Sequence, residues 1–256
     1  ERPAFRVTAQ RSGDHAYQSP DIAAALGTGL VCRFGWPVKL KGFNLEVMAH
    51  LQGDELTLGI TLSPEGLYRR ERVAWGRTAL KGSIAYAMVR LARPRPGELL
   101  VDPMCGVGTI PIEAALAWPG LRCWGGDLSW SAVSRAALNA RHVNAPVHLF
   151  RWNVRRLPLP EGSVDALVCD MPFGRRVGSH ELNRRIYPPA LREMARVLRV
   201  DGRAVLLTLE KRLMEQILRG DPRWRLDAVH LVNVGGLEAR LYLLRRLPPR
   251  DEEVSS

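Results

Sequence analysis

The chain reads as an α/β protein: a mostly parallel sheet covered by helices on both faces, with a small α+β unit ahead of it. Three observations predict this. From residue 98 onward, apolar runs of strand length alternate with segments of helical periodicity. One turn between them, Asp102-Pro103-Met104-Cys105-Gly106-Val107-Gly108-Thr109, joins a strand to a helix through two glycines. Near the end, two extended runs flank Gly235-Gly236 and close the sheet as an antiparallel hairpin.

Taken in order, Phe5-Arg6-Val7-Thr8 has strand character, and Ser19-Pro20-Asp21 starts an alanine-rich helix running towards Leu30-Val31. Phe43, Leu45, Val47, Ala49 and Leu51 alternate with Asn44, Glu46, Met48 and His50, so one face of that strand is buried. Gln52-Gly53-Asp54 turns the chain, and Leu56, Leu58, Ile60 and Leu62 alternate again, completing a hairpin. Ser63-Pro64-Glu65-Gly66 breaks the pattern and ends a first unit at residues 1–66. Residues 67–97 form a charged connector and a leading helix, which runs from Thr78 through Ile84, Ala85, Met88 and Leu91 and stops at Pro94.

The main domain spans 98–248, with 249–256 as a disordered tail. Leu99-Leu100-Val101 is the apolar run of a central parallel strand. Gly106 and Gly108 let the following loop turn sharply and approach a ligand closely, and Pro111 suits the first turn of the next helix. Arg122–Asp127 is a strand ending in an acid, and Ser129 caps a helix whose Val133, Ala136, Ala137 and Ala140 share a face. Val147–Phe150 and Val164–Cys169 are the third and fourth strands. Pro188-Pro189 opens a helix with Leu191, Met194, Ala195 and Leu198 inward, ended by Asp201-Gly202. Ala204–Leu209 is a fifth strand, Leu213–Leu218 a helix, and Leu226–Val234 with Leu237–Leu247 the closing hairpin.

An apolar fraction of 46% over 256 residues is ample for a core. No run approaches the ~18 apolar residues of a membrane span, so no membrane partner is expected. Cys32, Cys105, Cys123 and Cys169 lack Cys-x-x-Cys spacing and the histidines are scattered. That excludes a disulfide framework and a metal centre in favour of buried free thiols. The net charge of +11 points to a polyanionic partner, of which nucleic acid is the common one. All but Lys39, Lys41, Lys81 and Lys211 of the 37 basic residues are arginine.

The glycine loop narrows the ligand. A dinucleotide fingerprint needs a third glycine where this chain has Pro111, and a phosphate-gripping P-loop needs Gly-Lys-Ser/Thr. Asp102–Thr109 instead resembles the cofactor loop of class I S-adenosylmethionine-dependent methyltransferases. Asp127, about 20 residues on, stands where an acid accepts both ribose hydroxyls of an adenosyl ligand; a helix-capping role is the alternative. Asn153 follows the third strand, where relatives often carry Asp, and its carbonyl oxygen can still accept from an adenine amino group.

Asp170-Met171-Pro172-Phe173-Gly174, at the end of the fourth strand, resembles the acceptor turn of class I methyltransferases that act on exocyclic amines. Such an amine is a poor nucleophile because its lone pair is delocalised into the ring. Asp170 Oδ and the Met171 carbonyl can accept its two N–H bonds and absorb developing positive charge. Pro172 fixes the turn, Phe173 offers a stacking face to a base taken out of its stack, and Gly174 lets the loop pass close. Arg175-Arg176, and Arg184-Arg185 further on, can grip phosphates; for the second pair a solvated helix entry is the alternative.

Phe5–His15, with the helix and hairpin that follow, is similar to the later part of a THUMP domain, the earlier part of which would lie before Glu1. The alternative is a structural α+β lid. Together with Asp102–Thr109, Asp170–Arg176 and Asn233–Leu237, the chain resembles the THUMP-containing tRNA guanine-N2 methyltransferase family from Phe5 to Arg246. The resemblance implies a Rossmann-like class I methyltransferase domain with a seven-stranded sheet. It implies S-adenosyl-L-methionine bound by Asp102, Pro103, Gly106, Gly108, Thr109, Asp127, Leu128, Asn153 and Asp170. Catalysis falls to Asp170, Met171, Pro172 and Phe173, and RNA contacts to Phe173, Gly174, Arg175, Arg176 and Arg11. The implied product is N2-methylguanosine in tRNA, the implied partner a small zinc-binding activator subunit, and the implied location the cytoplasm, with the nucleus also open. Competing readings are an adenine-N6 or DNA amino-methyltransferase and a non-catalytic RNA-binding subunit. Intact Gly106, Gly108, Asp127 and Asp170 argue against the last.

Overall fold

The structure, a computed structural model, describes residues 2–62, 73–74, 80–172 and 180–249. The chain divides into two units, Glu1–Gly66 and Leu67–Ser256. In the first, β1 (Phe5–Ser12), α1 (Ser19–Phe34), β2 (Leu45–Gln52) and β3 (Glu55–Ile60) build a three-stranded sheet in the order β1-β2-β3. Strands β1 and β2 run parallel, and β2 and β3 form the expected antiparallel hairpin. Asp21 accepts the Gln18 backbone N–H at 2.7 Å, which fixes the entry of α1.

Inward alternation holds on β2, where Ala49 and Leu51 are buried, and lapses on β3, where Leu56, Leu58 and Ile60 are 48%, 54% and 58% exposed. The physical reason is position. Strand β3 is the edge of a small sheet, and α1 itself buries no residue, so the described residues leave that edge uncovered. Cys32, on α1, is exposed for the same reason; the other three cysteines are buried free thiols.

The second unit contains α2 (Gly82–Ala92), β4 (Leu99–Asp102), α3 (Thr109–Ala117), β5 (Arg122–Asp127), α4 (Trp130–His142) and β6 (Val147–Arg151). It continues with β7 (Val164–Asp170), α5 (His180–Val197), β8 (Leu198–Thr208), α6 (Lys211–Gly220), β9 (Trp224–Val234) and β10 (Leu237–Arg246). The strand order is β6-β5-β4-β7-β8-β10-β9. Only β10 runs against its neighbours, which is the antiparallel closure expected.

Period-two alternation sorts the strand residues onto two cores. Leu99, Val101, Leu167, Cys169, Ala204, Leu206 and Tyr242 join α5 and α6 on one face. Leu100, Ala166, Val168, Val205, Leu207 and Leu241 join α2 and α3 on the other. Strand order reverses at β4, whose neighbours are β5 and β7, and a crevice opens there at the carboxyl ends of the strands.

Three boundaries differ from the expectations above. Helix α2 begins at Gly82, and Thr78 and Ala79 lie outside the described residues. Helix α5 begins at His180, so Pro188-Pro189 sits inside it and Arg184-Arg185 lies within the helix. The stripe Asn183, Tyr187, Ala190, Leu191, Met194 is buried and holds the helix through the two missing backbone donors. The helix ends at Val197, and Leu198 opens β8 instead of closing the helix. Asp201, with φ 60°, and Gly202 fall inside that strand. There the β7–β8 register jumps from Val164–Leu198 to Ala166–Arg203, and the jump absorbs the irregular turn. The expected tail from 250 onward lies outside the described residues.

Gly126, the penultimate residue of β5, has a packing role. A Cβ there would stand 2.2 Å from Trp152 Cε2, so the bare backbone is what lets the indole lie flat against the strand. Gly126→Ala is therefore expected to lower unfolding free energy by about 1–3 kcal/mol, the usual cost of overpacking. Gly220→Ala, where nothing lies within 4 Å, is the control and should leave the denaturation midpoint unchanged or slightly raised. Chemical denaturation of the two variants checks this.

Candidate active site

Strand register gathers three carboxylates along one edge of the sheet. Asp102 ends β4 and pairs with Gly125, so Asp127 projects two residues further on β5. Val101 pairs with Leu167, so Asp170 projects equally far on β7. The three environments differ, and so do the roles they permit.

Asp102 is 1% exposed and accepts the Met104 N–H at 3.1 Å. Burial pushes its carboxyl well up, the charges of Asp170 and Asp127 add to that, and bonds from Met104 and the Cys169 thiol oppose it. It shapes the loop from beneath.

Asp127 ties the loop to the next helix. Its Oδ2 accepts from Gly106 N at 3.1 Å and its Oδ1 from Ser129 N at 2.9 Å. A carboxylate offers about four lone-pair sites, so two acceptor positions remain for a pair of hydroxyls. The capping role and the ligand role are thus compatible in one side chain. Leu128, beside it, is exposed, and Ser129 caps α4 as expected.

The two glycines of the loop do different work. Both take positive φ, 54° at Gly106 and 85° at Gly108. A Cβ on Gly106 would meet nothing within 4 Å, so this residue opens onto free space. A Cβ on Gly108 would stand 3.0 Å from Ala136 Cβ and 3.2 Å from Ile112 Cδ1. Close ligand approach is therefore a property of Gly106, whereas Gly108 is required by packing against α4. Thr109 follows as the first residue of α3, whose N-terminus no side chain caps, leaving its positive end available to an anion.

Two side chains that sequence reasoning overlooked hold this loop. Trp152 Nε1 donates to the Pro103 carbonyl at 3.0 Å. Asn139 Nδ2 donates to the Val107 carbonyl at 3.0 Å and to Ala74 O at 2.9 Å, while its Oδ1 accepts from Ala74 N. Signals existed for both: two consecutive glycines inside β5, and an amide on the apolar face of α4. Asn153 does not have its carbonyl oxygen wholly free, because Oδ1 accepts from Arg155 N at 3.0 Å. Arg155 Nε, at 3.4 Å, takes its second acceptor position, so an adenine amino group has to displace that contact.

At the end of β7, Asp170 Oδ1 is enclosed and has no hydrogen-bond partner among the described residues, although the side chain as a whole keeps some solvent contact. Burial raises its carboxyl to about 7. An orphaned buried acceptor costs about 1–3 kcal/mol, which a ligand donor would recover. Met171 extends the β7–β8 ladder through its N–H to Leu207 O at 2.9 Å and buries its side chain in the core. Only its carbonyl can serve a substrate.

Pro172 is held by a chain of hydroxyls. Glu210 N donates to Thr208 Oγ1 at 2.9 Å, and Tyr187 Oη donates to the Pro172 carbonyl at 2.8 Å. Tyr187 has a single hydrogen, so across the 2.7 Å contact Thr208 is the donor and Tyr187 the acceptor. Every proton in the chain has one destination. Phe173, Gly174, Arg175 and Arg176 lie outside the described residues. Arg11 belongs to the first unit, where its guanidinium bonds Gln18 Oε1 at 2.9 Å.

Comparison with known proteins gives a consistent result. A model of the RMKL-like methyltransferase domain matches residues 69–240, and a THUMP domain model matches residues 1–61. The chain is 40% identical, over 95% of its length, to a protein of Bos taurus named tRNA (guanine(6)-N(2))-methyltransferase THUMP3, and spans about half (51%) of that relative. It is 34% identical to the tRNA (guanine(6)-N2)-methyltransferase of Thermus thermophilus, covering 95% of this chain and 73% of that one. The crystal structure of TrmN from Thermus thermophilus superposes with a TM-score of 0.77 at 32% identity, covering 95% of this chain and 72% of that one.

Two outcomes are expected of the acceptor turn. Tyr187→Phe keeps the ring and removes the donor to Pro172, so turnover should fall about tenfold, one net hydrogen bond's worth, with S-adenosylmethionine affinity unchanged. Thr208→Val should behave alike, and the double variant should be little worse than either, since both act through one carbonyl; steady-state kinetics reads all three. Secondly, Asp170 has a raised native carboxyl, so its stability contribution is full below the unfolded value near 4 and is lost as pH rises through about 7. Asp170→Asn should therefore gain about 1–3 kcal/mol of stability relative to wild type between pH 5 and pH 8 in denaturant titrations.

Proposed function

This chain belongs to the RMKL-like methyltransferase family, with a THUMP domain ahead of the methyltransferase domain, and we propose that it methylates the exocyclic N2 amine of a guanosine in tRNA. When bound, S-adenosylmethionine supplies an electrophilic sulfonium methyl. The residues present fit that cofactor: Gly106 leaves open space, Asp127 keeps two acceptor positions for ribose hydroxyls, and α3 offers an uncapped N-terminus to a carboxylate. Pro103 shapes the cradle through its carbonyl, which Trp152 holds.

The observation that carries the acceptor is Asp170 Oδ1, an enclosed oxygen with no donor among the described residues, at the end of the strand next to the cradle strand. It accepts one N–H of the guanine amine and the Met171 carbonyl accepts the other. That orients the nitrogen and stabilises the positive charge that builds on it. A carboxyl raised to about 7 is also poised to take the proton the amine releases. Most of the rate then comes from holding the nitrogen about 3–3.5 Å from the methyl carbon. Phe173 stacks on the base, and Arg175 and Arg176 meet the flanking phosphates.

tRNA as the substrate is supported by the names of the relatives and by the net charge of +11. The family resemblance also supports a small zinc-binding activator subunit as a partner. No helix among the described residues is long and apolar enough to cross a membrane.

Mass spectrometry of nucleosides from tRNA incubated with the protein and labelled S-adenosylmethionine, with and without an activator, is expected to show N2-methylguanosine. Methyladenosine alone would overturn the guanine reading. Asp127→Ala should weaken cofactor binding at least about tenfold by calorimetry, and Asp170→Ala should abolish turnover while leaving that affinity intact. The reverse pattern would exchange the two roles.

A further inference from the structure

Helices α5 and α6 enclose a groove of about 860 Å³ that continues into one of about 400 Å³, the two sharing Arg184, Leu213 and Gln216. Its floor is apolar: Leu213 and Ile217 pack on the core beneath. Along α5, Arg184 and Arg192 are eight residues apart and so fall on one stripe, about 12 Å apart along the axis. Arg212 stands in the first turn of α6. All three guanidinium groups are exposed.

The lining is positive on balance: Arg184, Arg192, Lys211, Arg212 and Arg223 face only Glu210 and Asp221, and Asp221 is already paired with Arg223. Among the described residues Arg184, Arg192 and Arg212 have no acidic partner. One end of the groove lies at the site. Arg184 precedes Tyr187 by one turn of α5, and Tyr187 holds the Pro172 carbonyl. The groove then runs away from the carboxyl edge of the sheet towards Gly220 and Pro248.

We infer that this groove binds the sugar-phosphate backbone of the substrate RNA beside the modified nucleotide, through Arg184, Arg192 and Arg212. Arg184 and Arg192, rooted about 12 Å apart along the helix axis, meet non-adjacent phosphates of one strand, with Arg212 contributing from α6, and the Leu213–Ile217 floor takes the sugar faces. These contacts carry no sequence information; they set the register of the strand so that one nucleotide reaches Asp170. The inference rests on RNA being the substrate and names the surface that holds it.

The test uses the full chain, an unmodified tRNA transcript and a salt series. The variant R184A/R192A/R212A is expected to bind the transcript about tenfold or more weakly at low salt. It should lower the slope of log affinity against log salt by about 2, the share of three phosphate contacts on a single strand. S-adenosylmethionine affinity should not change. R90A/R135A/R141A, which removes the same charge from exposed positions on α2 and α4, is the control. Equal losses in the two variants, or none in the first, would overturn the groove. Groove-dependent binding without any transfer to guanine N2 would uphold the groove and overturn the reaction proposed above.

Discussion

The cradle depends on one hydrogen bond that only a missing side chain permits. Trp152 Nε1 reaches the Pro103 carbonyl because Gly126 has no Cβ where the indole lies. With Pro103 fixed, Asp102 can take the Met104 N–H beneath the loop and Asp127 can take the Gly106 N–H above it. Asn139 fixes the loop's far side at Val107. Backbone amides of a glycine-containing loop are mobile by default, because glycine loses more freedom on folding than any other residue. Here four side chains, from β4, β5, α4 and the segment after β6, remove that freedom before a ligand arrives. The ordering cost falls on folding and not on binding.

Three aspartates on adjacent strand ends carry different chemistry because their surroundings differ, not their residue type. Asp102 is enclosed and bonded, and remains structural. Asp127 is half-exposed, bonded to two backbone donors, and still has acceptor capacity outward. Asp170 is enclosed at one oxygen with nothing among the described residues donating to it. A fold selected for stability alone would satisfy that oxygen or replace it. Its presence at the carboxyl edge of β7 marks it as the place where stability is given up for a donor that comes from outside.

Much of this was legible in the residues. The alternation of strands and helices, the glycine loop, the acid at Asp127 and the acidic strand end at Asp170 all follow from local pattern, because each sits inside one element. What escaped depends on contacts between elements. Trp152 and Gly126 are 26 residues apart, and nothing in either run announces the other. Tyr187 looked like the residue before a helix because Pro188-Pro189 is a strong start signal. A proline pair overrides helix continuity only when local energies decide, and here a buried stripe from Asn183 to Met194 outweighs the two lost bonds. On β3 the error ran the other way. Alternation described the strand correctly but could not say whether anything covers it.

That misplaced helix start proves to be the informative one. If α5 began at Pro188, Tyr187 and Arg184 would belong to a loop, and neither could hold a fixed relation to the acceptor turn. Because the helix begins at His180, one rigid element carries both: Tyr187 inward to the Pro172 carbonyl, Arg184 and Arg192 along the outer wall of the groove. Residues on one helix differ in position by fixed rotations and rises, so the distance from a groove-bound phosphate to the turn at Asp170 is set by backbone geometry. A nucleotide held by its phosphates is thereby presented to the orphaned oxygen at a defined height. Positioning of that kind is where a transfer between two bound groups gains much of its rate.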